Sequence, residues 1–344
     1  MPLEYPDPKV SEDAAVVLDK NQNTSKAPVK RLQQMTVQEF YERYNQSLHL
    51  ELVGSKAGYQ RKIIEPELNR PGLALAGFFT YFAEQRIQVI GNAELSYLTC
   101  LDPVDGQQRF RELCRQAIPC LILARGHSLP EAFMDEAHRD HLTIFQTSMA
   151  SMHFLNAATI RLQYAFAPTT HEHGSMVDIH GIGVLIRGSS GTGKSETVLG
   201  LLDRGASLVA DDVVQFRRPE GAEIAGMAKE LGRNHMEVRG LGLINVMAIY
   251  GIGAVRLEKT LNVVITLRPA ADMNELERVG LETKKYRILG IDLPHVEIPV
   301  APGRDLAKLI EVAAMDVKLK VFGHDTPVEF NNRLLEKIRD RQDA

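Results

Sequence analysis

The sequence predicts two α/β domains, the second built on a strand–loop–helix unit that binds phosphate, and three observations carry this expectation. The chain has 344 residues, more than one ordinary domain needs and enough for each of two to bury its own core. Short apolar runs suited to buried strands, such as Gln88-Val89-Ile90-Gly91, Ile118 to Leu123 and Val263 to Leu267, alternate with stretches of helical periodicity. Finally, Gly188-Ser189-Ser190-Gly191-Thr192-Gly193-Lys194-Ser195 fits G-x-x-x-x-G-K-[ST] at every fixed position and follows the apolar stretch Gly183-Val184-Leu185-Ile186.

Taken in order, residues 1–29 carry Pro2, Pro6, Pro8 and Pro28 among polar side chains and read as a mobile tail. The first domain is expected over residues 30–160. It opens near Thr36, which with Glu39 resembles a capping box, and contains a helix from Asn92 to Thr99. Residues 148–166 repeat apolar side chains at three- and four-residue spacing, predicting a helix that leads toward the second domain, 161–344. There Thr170 to Gly181 alternates as strands would. After the phosphate loop, a helix from Glu196 to about Arg204 stops at Gly205, and Ser207-Leu208-Val209-Ala210 forms a strand ending at Asp211-Asp212. Leu306, Leu309, Ile310, Ala313 and Ala314 share one helix face, and a second amphipathic helix runs from about Asn332 to Arg341. There is no internal repeat and no heptad array.

Composition narrows the function classes. With 44% hydrophobic and 24% charged residues the chain reads as an ordinary soluble protein. Its 40 basic and 44 acidic side chains leave a net charge of −4 with no long Lys/Arg run, which argues against nucleic acid. No apolar window suits a membrane span or an export signal. Cys100, Cys114 and Cys120 lack C-x-x-C spacing and read as buried, reduced thiols, which points to the cytoplasm.

The chemistry centres on the loop. Its glycines let successive N–H groups turn inward on phosphate oxygens, and the helix opening near Lys194 adds its positive end. Lys194 would reach the β- and γ-phosphates, and Ser195 the Mg²⁺ of a bound nucleoside triphosphate. Asp211-Asp212 could supply a magnesium ligand and a catalytic base, or could be a turn or cap. Only a short helix and turn separate this pair from the loop, an unusually small distance. His173 and His180, seven residues apart on one alternating stretch, would face opposite ways. His171-Glu172-His173 has the spacing of two metal ligands but no evident third. Glu237 and Arg239 would share a side if extended, as metal and phosphate ligands or as a structural ion pair at a bend.

Together these residues resemble the bacterial HPr kinase/phosphorylase family, also called HPr(Ser) kinase/phosphatase. The resemblance covers His173-Gly174, the loop with Glu196, Leu208 to Asp212, and Glu237-Val238-Arg239-Gly240-Leu241-Gly242. It continues through Pro299-Val300, Gly303 to Ala307 and Ile310 to Met315. Upstream it includes Asn69-Arg70-Pro71-Gly72-Leu73 with Ala76-Gly77-Phe78, so that it runs from about residue 30 to 335. Asn245 and Asp305 stand where many members are expected to carry Asp and Asn.

The resemblance implies a bifunctional enzyme. ATP or pyrophosphate phosphorylates one serine of the phosphocarrier protein HPr, and inorganic phosphate removes that group as pyrophosphate. Asp211 would be base and acid, Lys194 and Arg278 would stabilise the transferring phosphoryl group, and His173 would assist. Ser195 and Glu237 would hold Mg²⁺, with Asp212 a rival ligand, and the loop from Pro299 to Arg304 would serve dephosphorylation. The implied fold pairs an N-terminal domain similar to part of a Mur ligase with a C-terminal P-loop kinase core similar to phosphoenolpyruvate carboxykinase, assembled as a homohexamer. A P-loop kinase or ATPase acting on small molecules, or a non-catalytic nucleotide sensor, would share the loop but not need the sequence around Glu237.

Overall fold

The computed structural model describes residues 24–25, 27–219, 221, 223–270 and 284–342. In the first unit, β1 (Met35–Thr36) leads into α1 (Val37–Tyr44), whose start is the expected capping box. Thr36 Oγ1 accepts from the Glu39 N–H at 3.1 Å, and Glu39 Oε2 accepts from the Thr36 N–H at 2.8 Å. β2 (Leu50–Leu52), β3 (Lys62–Ile63), β4 (Leu68–Asn69) and the short α2 (Gly72–Leu75) follow. Then β5 (Ile87–Ile90), α3 (Asn92–Cys100), α4 (Pro103–Cys114), β6 (Leu121–Leu123), α5 (Glu131–Arg139) and β7 (Ile144–Thr147) alternate strand and helix. The sheet order β2-β7-β6-β5-β4 is parallel apart from β2, as strand–helix–strand crossovers require. α6 (Ser151–Phe166) closes the unit. It runs past the expected boundary at residue 160, since Leu162 and Phe166 pack into the same core as Phe40, Val89 and Phe145.

The second unit joins two sheets. β8 (Thr169–His173), β9 (Ser175–Ile179) and β10 (Ile182–Gly188) precede α7 (Lys194–Leu202), β11 (Ser207–Ala210), β12 (Val213–Arg217) and β13 (Ala225–Ala228). The hairpin β14 (His235–Val238) and β15 (Gly242–Asn245) leads to α8 (Val246–Tyr250), β16 (Glu258–Thr260) and β17 (Val263–Pro269). β18 (Lys284–Ile288), β19 (Ile291–Val300), α9 (Leu306–Val321) and α10 (Thr326–Gln342) complete it. Six strands run in the order β11-β9-β10-β17-β19-β18, and four in the order β16-β13-β12-β8. One apolar core lies between the six-stranded sheet and the α7/α9 layer, with Ile186, Val198, Leu201, Ile265 and Ile310 at its centre. A second fills the space between the sheets, around Met176, Leu185, Phe216, Val264 and Tyr286.

The chain crosses between the sheets twice at one corner, at Gly174 and at Asp211-Asp212. Gly174 has φ 153 and Asp212 φ 62, and the Gly174 N–H donates to the Asp212 carbonyl at 3.0 Å. An added Cβ on Gly174 would meet the Ile186 carbonyl oxygen at 2.5 Å, so the corner rests directly on β10.

Two expectations need correction. Positions 1–23 and 26 of the expected mobile tail lie outside the described residues, but Thr24, Ser25, Ala27 and Pro28 are bonded to the second unit, as is Lys30 just beyond the tail. Ser25 N–H donates to the Arg287 carbonyl at 2.9 Å, and Lys30 exchanges both backbone bonds with Thr169 at 2.7 Å. β8 and β18 end their sheets, and backbone pairing to such free edges needs no apolar side chains, which is why composition misread the segment. All three cysteines are free, yet Cys100 is exposed, at the last turn of α3; burial pushes the Cys114 thiol up to about 12 and raises that of Cys120 as well.

Candidate active site

The phosphate loop leaves β10 at Gly188 and enters α7 at Lys194. Gly191 (φ 83) and Gly193 (φ 81) take left-handed conformations that side chains resist. An added Cβ on Gly188 would lie 2.7 Å from Thr192 Oγ1 and 2.9 Å from the Leu267 carbonyl oxygen, so the loop's first glycine is needed for close packing. Thr192 Oγ1 donates to the Ser189 carbonyl at 2.9 Å and holds the loop curled. Lys194 Nζ folds back to donate to the carbonyls of Gly188 (2.9 Å) and Ser189 (3.0 Å).

Asp211 stands at the sheet-to-sheet corner. Ser175 Oγ donates to its Oδ1 at 2.5 Å and the Glu237 N–H to its Oδ2 at 3.1 Å, so both carboxylate oxygens are fixed. Glu237 owes its outward direction to strand alternation: Met236 and Val238 on either side are buried in the core, and Glu237 is exposed. The hairpin turn beyond it has Gly240 at φ 87 and Gly242 at φ 83, and carries Arg239 over the loop near Gly191.

These segments enclose a cleft of about 450 Å³ lined by Ser190, Lys194, Ser195, Asp211, Asp212, Glu237 and Arg239. The loop, both aspartates and Glu237 therefore meet, as the sequence suggests. His173 is exposed at the end of β8, paired with Val213, beside the cleft but not in its lining. Arg278 lies outside the described residues. His180 does not share a strand with His173, since Gly174 breaks the run; at φ 49 it turns away, its Nε2 3.1 Å from Glu311 Oε1. Arg304 Nη1 donates to the Pro299 carbonyl at 3.3 Å, tightening the loop before α9. Asn245 and Asp305 cap α8 and α9, accepting from the N–H groups of Ala248 and Lys308 at 3.0 Å each. Ser190 lines the cleft as part of the loop the motif marks, whereas Ser175 escapes a sequence reading because it carries no spacing signal.

The donor set is a hydroxyl and three carboxylates, Ser195, Asp211, Asp212 and Glu237, all hard oxygen ligands lining one cleft. Among the described residues no three His, Cys, Asp or Glu side chains form a ready metal cage. The oxygen donors are of the kind Mg²⁺ takes, since it binds through one or two carboxylates plus substrate phosphates and waters.

Beyond the cleft, Asp211, Asp212 and Glu237 also line a second opening of about 330 Å³, with Lys229, Leu231, His235 and Leu243. The corner carboxylates thus stand between two approaches, one from the phosphate loop and one from the hairpin.

Comparison with known proteins shows the family. The family model described as HPr Serine kinase C-terminal domain matches residues 164–334, and that described as HPr Serine kinase N terminus matches residues 35–162. The HPr kinase/phosphorylase of Bacillus pumilus (strain SAFR-032) is 40% identical over 295 residues, 86% of this chain and 95% of that protein. That of Bacillus subtilis (strain 168) is 39% identical over 295 residues, with the same shares. A solved structure, the Hpr(Ser) kinase/phosphatase from Coxiella burnetii, is 33% identical, covers 46% of this chain and 97% of its own, and superposes with a TM-score of 0.43. With both family models spanning the two units and the phosphate loop, Asp211 and Glu237 gathered on one cleft, this chain belongs to the HPr kinase/phosphorylase family.

Proposed function

We propose that this chain phosphorylates a serine of HPr from ATP or pyrophosphate, and removes that phosphate with inorganic phosphate to give pyrophosphate. The observation that carries the reading is Asp211: a carboxylate fixed at both oxygens, on the same cleft as Lys194 and the phosphate loop.

In the kinase direction Asp211 takes the proton from the serine hydroxyl as its oxygen attacks the terminal phosphorus, and the bond from that phosphorus to the donor's bridging oxygen breaks. In the reverse direction an oxygen of inorganic phosphate attacks the phosphoserine phosphorus. Protonated Asp211 then gives its proton to the departing serine oxygen, and pyrophosphate forms. Lys194 moves from the loop carbonyls onto the transferring phosphoryl group, with Arg278 as a second cation and His173 assisting from the rim. Ser195 and Glu237 would hold Mg²⁺, which supplies charge neutralisation of the phosphates. The acceptor serine enters through the opening beside Leu231 and Leu243, reaching Asp211 from the side away from the loop.

The first unit is read as Mur-ligase-like and the second as a kinase core similar to phosphoenolpyruvate carboxykinase, joined just after α6, which ends at Phe166, and assembled as a homohexamer in the cytoplasm. Among the described residues no helix is long and apolar enough to cross a membrane. Incubation with γ-labelled ATP and HPr tests the function. Serine-linked label on HPr, returned as labelled pyrophosphate when inorganic phosphate is added, is the expected result; label on free phosphate alone would overturn it.

A further inference from the structure

The phosphate loop leaves the six-stranded sheet at β10, the Asp211 corner joins that sheet's β11 to β12 of the four-stranded sheet, and one partly buried ion pair ties the two sheets together. Arg187, immediately before Gly188 on β10, places Nη2 3.3 Å from Oε2 of Glu172 on β8. Glu172 is 5% exposed, precedes His173 and stands across from Val214 of β12, the strand that Asp211-Asp212 enters. Tyr286 completes the contact. Its hydroxyl donates to the same Glu172 oxygen at 3.2 Å, and its ring lies 4.5 Å from the Arg187 guanidinium carbon. Glu172 Oε1 and Arg187 Nε are buried without a hydrogen-bond partner among the described residues.

A partly buried ion pair, with Glu172 enclosed and the Arg187 side chain 28% exposed, is a poor source of stability when it leaves polar atoms unsatisfied. Its geometric consequence is larger. Three consecutive residues of β10 act at the same end: Ile186 receives the Gly174 corner, Arg187 grips Glu172, and Gly188 begins the loop. We propose that Arg187 and Glu172 are positioning residues, holding the phosphate loop at a fixed separation from Asp211. The role presupposes the phosphotransfer proposed above, in which donor phosphorus and base must stay in register; a misplacement of about 1 Å can cost about 10²-fold in rate.

The experiment compares Glu172→Gln, Arg187→Met and the double variant, which leaves no unpaired buried charge and so guards against misfolding. Turnover on HPr is measured well below each melting temperature, together with fluorescent-ATP affinity and hydrogen exchange at the Gly174 amide. Expected are kcat losses of about 10–100-fold in each single variant and no further loss in the double. ATP affinity should stay within about twofold, and Gly174 exchange should be faster in all three. Parental kcat with only a lowered melting temperature overturns the proposal, as do single losses that multiply in the double variant or ATP affinity that falls in step with kcat. If the parent fails to label HPr, the function fails; the Gly174 exchange still decides the brace.

Discussion

At the scale of single residues, Asp211 carries the sharpest expectation. Asp211→Asn keeps the shape and the Ser175 contact but can neither take nor return a proton, so HPr phosphorylation should fall by about 10²–10⁴-fold, and phosphorolysis with it. Fluorescent-ATP binding should survive, because the phosphate contacts come from the loop and Lys194; normal turnover in the variant would make Asp211 a corner residue only. Lys194→Ala removes the ammonium that both directions share and should lower both rates by about 10²–10³-fold, as measured in parallel kinase and phosphorolysis assays. The metal ligand is decided by Mg²⁺ titration. Glu237→Ala should raise the Mg²⁺ requirement while the melting temperature holds, since the side chain is exposed and its backbone N–H still reaches Asp211. A shift confined to Asp212→Ala would move the assignment to Asp212.

At the scale of elements, what the sequence disclosed depended on how local the signal is. The loop and α7 were legible because their glycines and lysine lie within eight consecutive residues, each with its own physical reason. The strand before Asp211 was legible as an apolar run ending in acids, but its role at a corner was not. That role depends on Ser175, 36 positions away, and on a hairpin whose Glu237 strand alternation marks but leaves open between a ligand and a structural ion pair. The cluster between the sheets gave no signal, because Glu172, Arg187, Tyr286 and His295 meet only after β8, β10, β18 and β19 are assembled. This cluster yields a pH prediction. His295 is 5% exposed, and Thr266 Oγ1 lies 2.8 Å from its Nε2. Burial, with the Arg187, Arg268 and Lys284 cations, pulls its pKa from 6.5 down to about 4 against the opposing pull of Glu297. The unfolded chain therefore binds this proton first, so the stability from a neutral His295 is full above pH 6.5 and lost as pH falls toward 4. His295→Gln should flatten the fall in melting temperature across that window; an unchanged slope would assign the acid sensitivity to other groups.

At the scale of the whole molecule, the two units meet through α6 and through the segment 24–30. Tyr164 near the end of α6 donates to Glu258 Oε2 at 2.7 Å and lies under Arg217, with 4.2 Å between ring centre and guanidinium carbon. The segment from Thr24 to Lys30 reaches the opposite side. It pairs with Arg287 at the edge of the six-stranded sheet and Thr169 at the edge of the four-stranded one, then enters the first unit at Met35. Thr170 Oγ1 adds contacts at 3.3 Å to the carbonyls of Ala27 and Pro28. Each of these bonds is backbone-directed, which is why a stretch poor in apolar side chains still holds its place. An uncovered strand edge offers N–H and C=O groups to any other strand. Removing residues 1–30 should therefore leave HPr phosphorylation in place, because the cleft lies at the other end of β8, beyond Glu172. It should release the Thr169 amide to rapid hydrogen exchange and raise concentration-dependent association. Amide exchange at Thr169 with light scattering against protein concentration checks both; a Thr169 amide that stays protected in a monodisperse truncated chain would show that the four-stranded sheet does not need this cover.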